Sequence, residues 1–320
     1  MTRRLAAALA LMLAQAAFAQ GGFPNRTITM VVGFAPGGGT DSVARVVAKK
    51  MGDSVGQTVI VENKAAAGGT VATHQVAKSP PDGYTILLGS VGSIAVWPHL
   101  NPKLPYDPLR DLAPITMAVE FPNVIVVNST LPVKTLSEFV EAAKAKPGTI
   151  GYGSSGVGGI GHLAGALLAL TAGIDIVHVP YKGGGPAMQD LLGGQIPAMV
   201  ATPVTALPHV KSGKLRALAT TGAARPAMMP DVPTVAESGY PGYEATNWYA
   251  YYAPAGTPKD VLARLHKELV DALNAPDVRE QLDRQGVEAK PGTPEELTKY
   301  MERELATWGR VVKAAKIQAN

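Results

Sequence analysis

Three glycine-rich turns hold most of the groups in this chain able to act on a small molecule. They are Phe34-Ala35-Pro36-Gly37-Gly38-Gly39-Thr40-Asp41, Gly153-Ser154-Ser155-Gly156-Val157-Gly158-Gly159-Ile160-Gly161 and Lys182-Gly183-Gly184-Gly185-Pro186. The first follows the apolar run Thr27-Ile28-Thr29-Met30-Val31-Val32 and precedes a helical pattern over residues 41–51. A strand that ends in glycines and feeds a helix leaves backbone N–H groups unpaired at the positive end of the helix dipole. Such a turn can seat a carboxylate or a phosphate, or it can be a plain strand-to-helix connection. Asp41, the first acid of the helix, reads as its cap. If it faced a ligand instead, it would contact a hydroxyl, a water or a protonated acid.

Other chemistries find less support. Residues 151–156 and 156–161 each fit G-x-G-x-x-G, the dinucleotide fingerprint. That fingerprint needs its acid at the end of the second strand, whereas Asp175 stands at the beginning of Ile176-Val177. The serine loop lacks the G-x-S-x-G elbow. An exported hydrolase using Ser155 and His162 is the alternative reading, with His162 otherwise lining the first helical turn. The six His (74, 99, 162, 178, 209 and 266) show no metal-ligand spacing. Neither a metal nor another cofactor is therefore expected.

The first 20 residues read as a segment apart from the fold. Arg3-Arg4, an apolar run from Leu5 to Phe18 and the small-residue pattern Ala17-Phe18-Ala19 make residues 1–19 a secretory signal peptide. With no Cys among 320 residues, lipobox anchoring and disulfides are excluded, so a soluble exported protein without a lipid anchor is expected. Without Arg3 and Arg4 the 29 basic residues become 27 against 25 acids, a net charge of +2. No basic stripe interleaves with aromatics, which argues against nucleic acid as a partner.

The elements that must position the turns alternate. Strand-like runs at residues 27–32, 58–61 and 84–88 flank helical patterns at 41–51 and 70–78, the signature of βαβ units around a mainly parallel sheet. Residues 98–111 carry Pro98, Pro102, Pro105 and Pro108, too close together for a helix. Residues 113–128 read as a crossover split by Phe121-Pro122-Asn123. A second series follows: helices at 135–146, 162–170 and 187–192, and strands near 150–152, 175–179, 196–201 and 215–220. Residues 245–252 return as a second crossover, and helices at 258–274, 277–285 and 294–316 close the chain. Ligands of open α/β sheets sit at the carboxyl ends of the strands, and two such units facing each other make a cleft.

These residues resemble a known family. The first turn, Val61-Glu62-Asn63, Pro81-Asp82-Gly83-Tyr84-Thr85, Leu104-Pro105-Tyr106-Asp107, Gly153-Ser154-Ser155-Gly156-Val157-Gly158, His178-Val179-Pro180-Tyr181-Lys182-Gly183 and Asp231-Val232-Pro233-Thr234-Val235-Ala236-Glu237 are similar to the Bug family, in consistent order along nearly the whole mature chain. Its members are periplasmic solute receptors of tripartite tricarboxylate transporters. The resemblance implies an α/β, type II periplasmic-binding-protein fold: two lobes joined by two crossover strands, closing around a ligand like a flytrap. Lobe I would comprise 20–122 plus 246–320 and lobe II 123–245. The ligand would be an organic carboxylate, a dicarboxylate or an aromatic acid, and the partners the membrane subunits of the transporter. Phe34, Gly38, Gly39, Thr40, Asp41 and Ser90 would face Ser154, Ser155, Gly158, His162 and Thr202. Tyr181 and Trp248 lie near the expected cleft and hinge, to stack on an aromatic acid or simply to pack. Relatives often carry Asp just before the position of Thr202, where this chain has Ala201, which argues against an amino-acid ligand. A receptor that must close freely is expected to be a monomer.

Overall fold

Apolar β-branched runs and amphipathic helices take turns along the first quarter of the chain. A computed structural model describes residues 22–314 and 317–318, and the proposed signal peptide lies outside them. β1 (Ile28–Val32), α1 (Gly39–Val55), β2 (Val59–Asn63), α2 (Thr70–Ala77) and β3 (Thr85–Ser90) follow one another. α1 buries Val43, Ala44, Val47, Ala48 and Met51, the i, i+4 stripe of a helix lying on a sheet. It ends at Gly56, whose left-handed backbone returns its N–H to the Gly52 carbonyl.

A π-helical turn, Gly92–Val96, and the short α3 (Trp97–Leu100) lead to β4 (Leu112–Pro122) and β5 (Val124–Asn128). The second series comprises α4 (Leu136–Ala145), β6 (Gly151–Ser154), α5 (Ile160–Ala172), β7 (Val177–Pro180), α6 (Gly184–Leu192), β8 (Ala198–Ala201), α7 (Pro203–Lys211) and β9 (Leu215–Thr220). β10 (Thr246–Pro254), α8 (Lys259–Asn274), α9 (Pro276–Gln285), β11 (Glu288–Ala289) and α10 (Pro294–Ala314) complete the described chain. The last two residues of the expected final helix lie outside the described ones.

Among the described residues the strands form a six-stranded sheet, β11-β4-β10-β3-β1-β2, and a five-stranded sheet, β7-β6-β8-β5-β9. Neither is mainly parallel, contrary to the βαβ expectation. β1 pairs parallel with β2 and β3, but β10 is antiparallel to both β3 and β4. In the second sheet β5 is antiparallel to β8 and β9, beside parallel pairs of β6 with β7 and β8. The long strands that connect the sheets cause this, because each runs against the strands it joins. Sheet membership changes at Asn123, between β4 and β5, and again between β9 and β10. The architecture is the two-lobed α/β fold of periplasmic binding proteins.

Two further differences concern proline. Pro98 sits in the first turn of α3, inside the stretch expected to be irregular, because a first-turn N–H has no intrahelical partner to lose. At α7 only a helical pattern around His209 was expected, without bounds, and Pro203 opens the helix while Pro208 lies inside it. The glycine-rich turns also enter their helices earlier than expected, at Gly39, Ile160 and Gly184. One continuous apolar cluster includes Val91, Ile94 and Val96 next to the first sheet and Ile160, Leu163 and Leu168 next to the second, so the core runs across the seam between them.

Candidate functional site

The first turn is pinned from behind by a carboxylate. Asp41 is nearly fully buried. It accepts hydrogen bonds from the Gly37 N–H (3.0 Å), Asn63 Nδ2 (2.9 Å) and Arg45 Nε (3.0 Å). The Arg45 guanidinium completes a two-pronged ion pair at 2.8 Å. Burial alone would push this acid up, but the bonds from Arg45, Gly37 and Asn63 outweigh it and hold the carboxyl below its ordinary value. With its carboxylate committed behind the turn, Asp41 leaves the N-terminus of α1 uncapped: Gly38 precedes the helix and no side chain bonds to its first N–H groups.

The second turn is held by neutral rings. Ser154, with no exposed surface, accepts the Gly156 N–H at 3.1 Å and lies 2.7 Å from His178 Nε2. His162 Nδ1 accepts the Gly158 N–H at 3.2 Å, and the two imidazoles stack with centroids 3.9 Å apart and planes 12° from parallel. Burial lowers His162 to about 4, and burial with the neighbouring His162 lowers His178 to about 3, so both are uncharged at neutral pH. Gly158 has φ +71 and any Cβ there would run into the Trp97 indole, so glycine is required both by backbone and by space.

The two sides meet across a seam, α3 against the second turn and the first turn against the third. Trp97 Nε1 donates to the Val157 carbonyl at 3.2 Å, and the Ala35 N–H donates to the Lys182 carbonyl at 3.0 Å. A Cβ on Gly39 would stand 2.8 Å from Thr202 Oγ1 and 3.2 Å from the Tyr249 hydroxyl, so the absent side chain lets the sides approach. Between them lies a narrow cavity.

Phe34, Gly38, Gly39, Thr40 and Ser90 line this cavity from the first side, and Ser155 and Thr202 from the second. The structure does not bring the other expected residues to its wall. Asp41 faces Arg45, Gly158 packs on Trp97, and Ser154 and His162 support the turn from behind. Tyr181 lines an adjoining cavity of about 260 Å³ that shares Phe34 and Ser155, and its hydroxyl donates to Asp190 at 2.7 Å. Trp248 is fully buried on the opposite face of β10, with Nε1 donating to Glu304 at 2.8 Å. The Ser–His pair that forms is Ser154–His178, not Ser155 with His162.

Asn123, Asn247, Tyr249, Gly159 and Gly184 also line the cavity. Gly159 and Gly184 belong to turns already singled out, but none of the five was named as a site residue from the sequence. The available signal was an Asn in each crossover, with Asn247 and Tyr249 on one face of β10 by the two-residue period of a strand. Burial pushes the Tyr249 phenol up to about 12, so it stays protonated.

Among the described residues no charged side chain lines the cavity. Its polarity comes from backbone instead. α1, α5, α6 and α7 all begin on its wall, at Gly39, Ile160, Gly184 and, behind Thr202, Pro203. None of these starts has a side-chain cap. Unpaired N–H groups and four positive dipole ends therefore converge on one uncharged space.

The family profile described as "Tripartite tricarboxylate transporter family receptor" matches residues 43–317. The chain belongs to this family. It is 40% identical over 292 residues to protein BugT of Bordetella pertussis, covering 91% of this chain and 90% of that one. The solved periplasmic binding protein BugD is 37% identical with a TM-score of 0.90, covering 93% of this chain and 100% of that one. MatC from Rhodopseudomonas palustris, solved with bound malate, is 35% identical with a TM-score of 0.87, covering 91% of this chain and 100% of that one. An R. palustris protein solved with adipate is 33% identical with a TM-score of 0.90, covering 93% of this chain and 99% of that one. These neighbours are solute-binding proteins, and membership makes this tripartite tricarboxylate receptor homologue a periplasmic solute-binding protein. No helix among its described residues is long and apolar enough to cross a membrane.

Proposed function

We propose that this receptor captures an organic carboxylate between its two sheets and delivers it to the membrane subunits of a tripartite transporter. The observation that carries the reading is the convergence of four uncapped helix starts on a cavity without counter-charge. Backbone N–H groups and dipole ends there suit an anion that brings its own charge. The narrow cavity suits a slender dicarboxylate better than an aromatic acid, and the neighbours solved with malate and adipate support that class.

Lobe I is then residues 20–122 with 246–320 and lobe II residues 123–245, with both jaws supplied by one chain acting as a monomer. A ligand touching both jaws favours the closed state by contacts that exist only there, so binding and closure are one equilibrium. Export through a signal peptide at residues 1–19 would place the protein where it meets its solute.

The test is calorimetry of the purified protein against a panel of mono- and dicarboxylates, with recovery of the ligand afterwards. Saturable binding of an unaltered acid is expected, and turnover of a bound acid would sink the receptor reading. Gly39→Val should weaken that binding roughly 10–100-fold, the equivalent of about 1–3 kcal/mol of overpacking at the seam. Its melting temperature should change little, because the open form relieves the clash.

A further inference from the structure

Two carboxamides meet at the floor of the cavity, one from each crossover. Asn123 stands between β4 and β5, and Asn247 is the second residue of β10; they are 1% and 4% exposed. Thr221 fixes both strands. The Asn123 N–H donates to Thr221 Oγ1 at 2.9 Å, and that hydroxyl donates to the Ala245 carbonyl at 2.7 Å. The backbones are thus committed, and the two side chains are left to face the cavity.

Asn247 Nδ2 donates to Asn123 Oδ1 at 3.2 Å. Asn247 Oδ1 is buried and has no partner among the described residues. Turning a single amide over would set like atoms against each other, and turning both would only move the free oxygen to Asn123, because one bond within the pair uses one carboxamide oxygen and leaves the other. An acceptor buried without a donor costs about as much as a lost hydrogen bond, so the pair selects for a donor in whatever fills the cavity.

The chemistry of that donor is constrained. A second ionised carboxylate offers only acceptors. An ammonium group offers donors, but no Asp or Glu lines the cavity to offset its charge. A neutral hydroxyl satisfies the free oxygen without adding charge. The rest of the wall supplies N–H and hydroxyl groups suited to the carboxylate end, while Asn247 Oδ1 is an acceptor.

We propose that Asn247, oriented by Asn123, is a specificity-determining residue that selects hydroxyl-bearing carboxylates over their deoxy counterparts. This rests on the carboxylate reading above and narrows it. The ligand class is a slender hydroxy acid whose hydroxyl donates to the free carboxamide oxygen at the crossovers.

Calorimetry on three matched pairs tests it: lactate with propionate, malate with succinate, and 2-hydroxyglutarate with glutarate. At whichever length binds, the hydroxy acid should bind about 10–100-fold more tightly than its partner, the range expected when a buried acceptor gains or loses its donor. Asn247→Leu should bring the pair within about threefold while leaving the deoxy acid bound. Equal affinities within a pair in the unaltered protein would overturn the hydroxyl selection, whether or not the variant folds, and would leave the carboxylate reading standing. Binding of none of the six acids would overturn the hydroxy-acid class. Binding of no acid in the wider panel would overturn the carboxylate reading as well.

Discussion

The two glycine turns that face each other across the cavity do the same job with opposite supports. Behind Gly37–Gly39 stands an ionised carboxylate, Asp41, held by Arg45 and Asn63. Behind Gly156–Gly159 stand two uncharged imidazoles, His162 and His178, with Ser154. A buried carboxylate with three sets of donors keeps its charge well into acid. A buried imidazole also keeps its neutrality well into acid, but at the expense of stability as soon as the unfolded chain begins to take up protons. The two turns therefore differ in the pH at which each support gives way, although their backbones look alike.

The largest effect expected from this difference is in stability against pH. The unfolded chain takes protons on His162 and His178 near the ordinary value of 6.5, whereas the folded chain takes them only near 4 and 3. Between those values the unfolded state binds more protons, so folding stability is complete above about pH 6.5 and falls as the pH drops toward 4. Each ring contributes up to about 1.4 kcal/mol per pH unit in that window. Asp41 has a folded value below 3.8, so its contribution persists until the pH falls below that range. Urea unfolding from pH 7 to 4 should show a clear slope in the native protein and a shallower one in His178→Gln. Equal slopes would mean that the rings do not support the second turn in this way.

A smaller effect comes from removing the first support. Asp41→Ala leaves the Gly37 N–H without its acceptor, takes one of the two acceptors from Asn63 Nδ2, which keeps the Phe34 carbonyl, and leaves the half-exposed Arg45 only Asn63 Oδ1. A loss of about 2–3 kcal/mol in unfolding free energy is expected, discounted for the solvent already around Arg45. Because the carboxylate is gone, the variant should retain the histidine slope above pH 4. A variant that loses that slope as well would show that the two turns are not independent.

The smallest effect concerns the contact of α3 with the second turn. Trp97→Phe leaves an aromatic ring in the glycine-lined slot but removes the bond to the Val157 carbonyl together with the pyrrole edge packed on Gly68 and Gly158. Ligand affinity should fall about two- to tenfold, corresponding to one hydrogen bond of about 0.5–1.5 kcal/mol present in the closed state. An unchanged dissociation constant would assign Trp97 to packing alone.

Much of this arrangement was legible residue by residue. Strand, glycine turn and helix follow one another locally, so the three turns and most helices could be read from apolar spacing and breakers. The bounds of α7 escaped because Pro203 and Pro208 mask a helix that packs not only on α6, β5 and β9 but also on α1 and α9, far away in the chain. Parallel pairing was overread for a similar reason: the direction of β10 is set by a return from the far sheet, which no local window contains. At the site, Phe34, Gly38, Gly39, Thr40, Ser90, Ser155 and Thr202 are on the wall as the resemblance implied, while Asp41, Ser154 and His162 act from behind it. Whether a side chain at the start of a helix faces inward or backward depends on partners such as Asn63 and His178, which are distant in sequence.

The sequence by itself determined where the backbone donors lie, because glycine before a helical stripe leaves N–H groups free wherever it occurs. It also determined that no cysteine chemistry operates, and its motif order carried the family. Only the tertiary structure decided that four helix starts share one cavity, that Trp97 spans the seam, and that Asn123 meets Asn247 across 124 residues. The physical reason is range: helix termini are products of local hydrogen bonding, whereas a cavity exists only where two sheets are brought face to face.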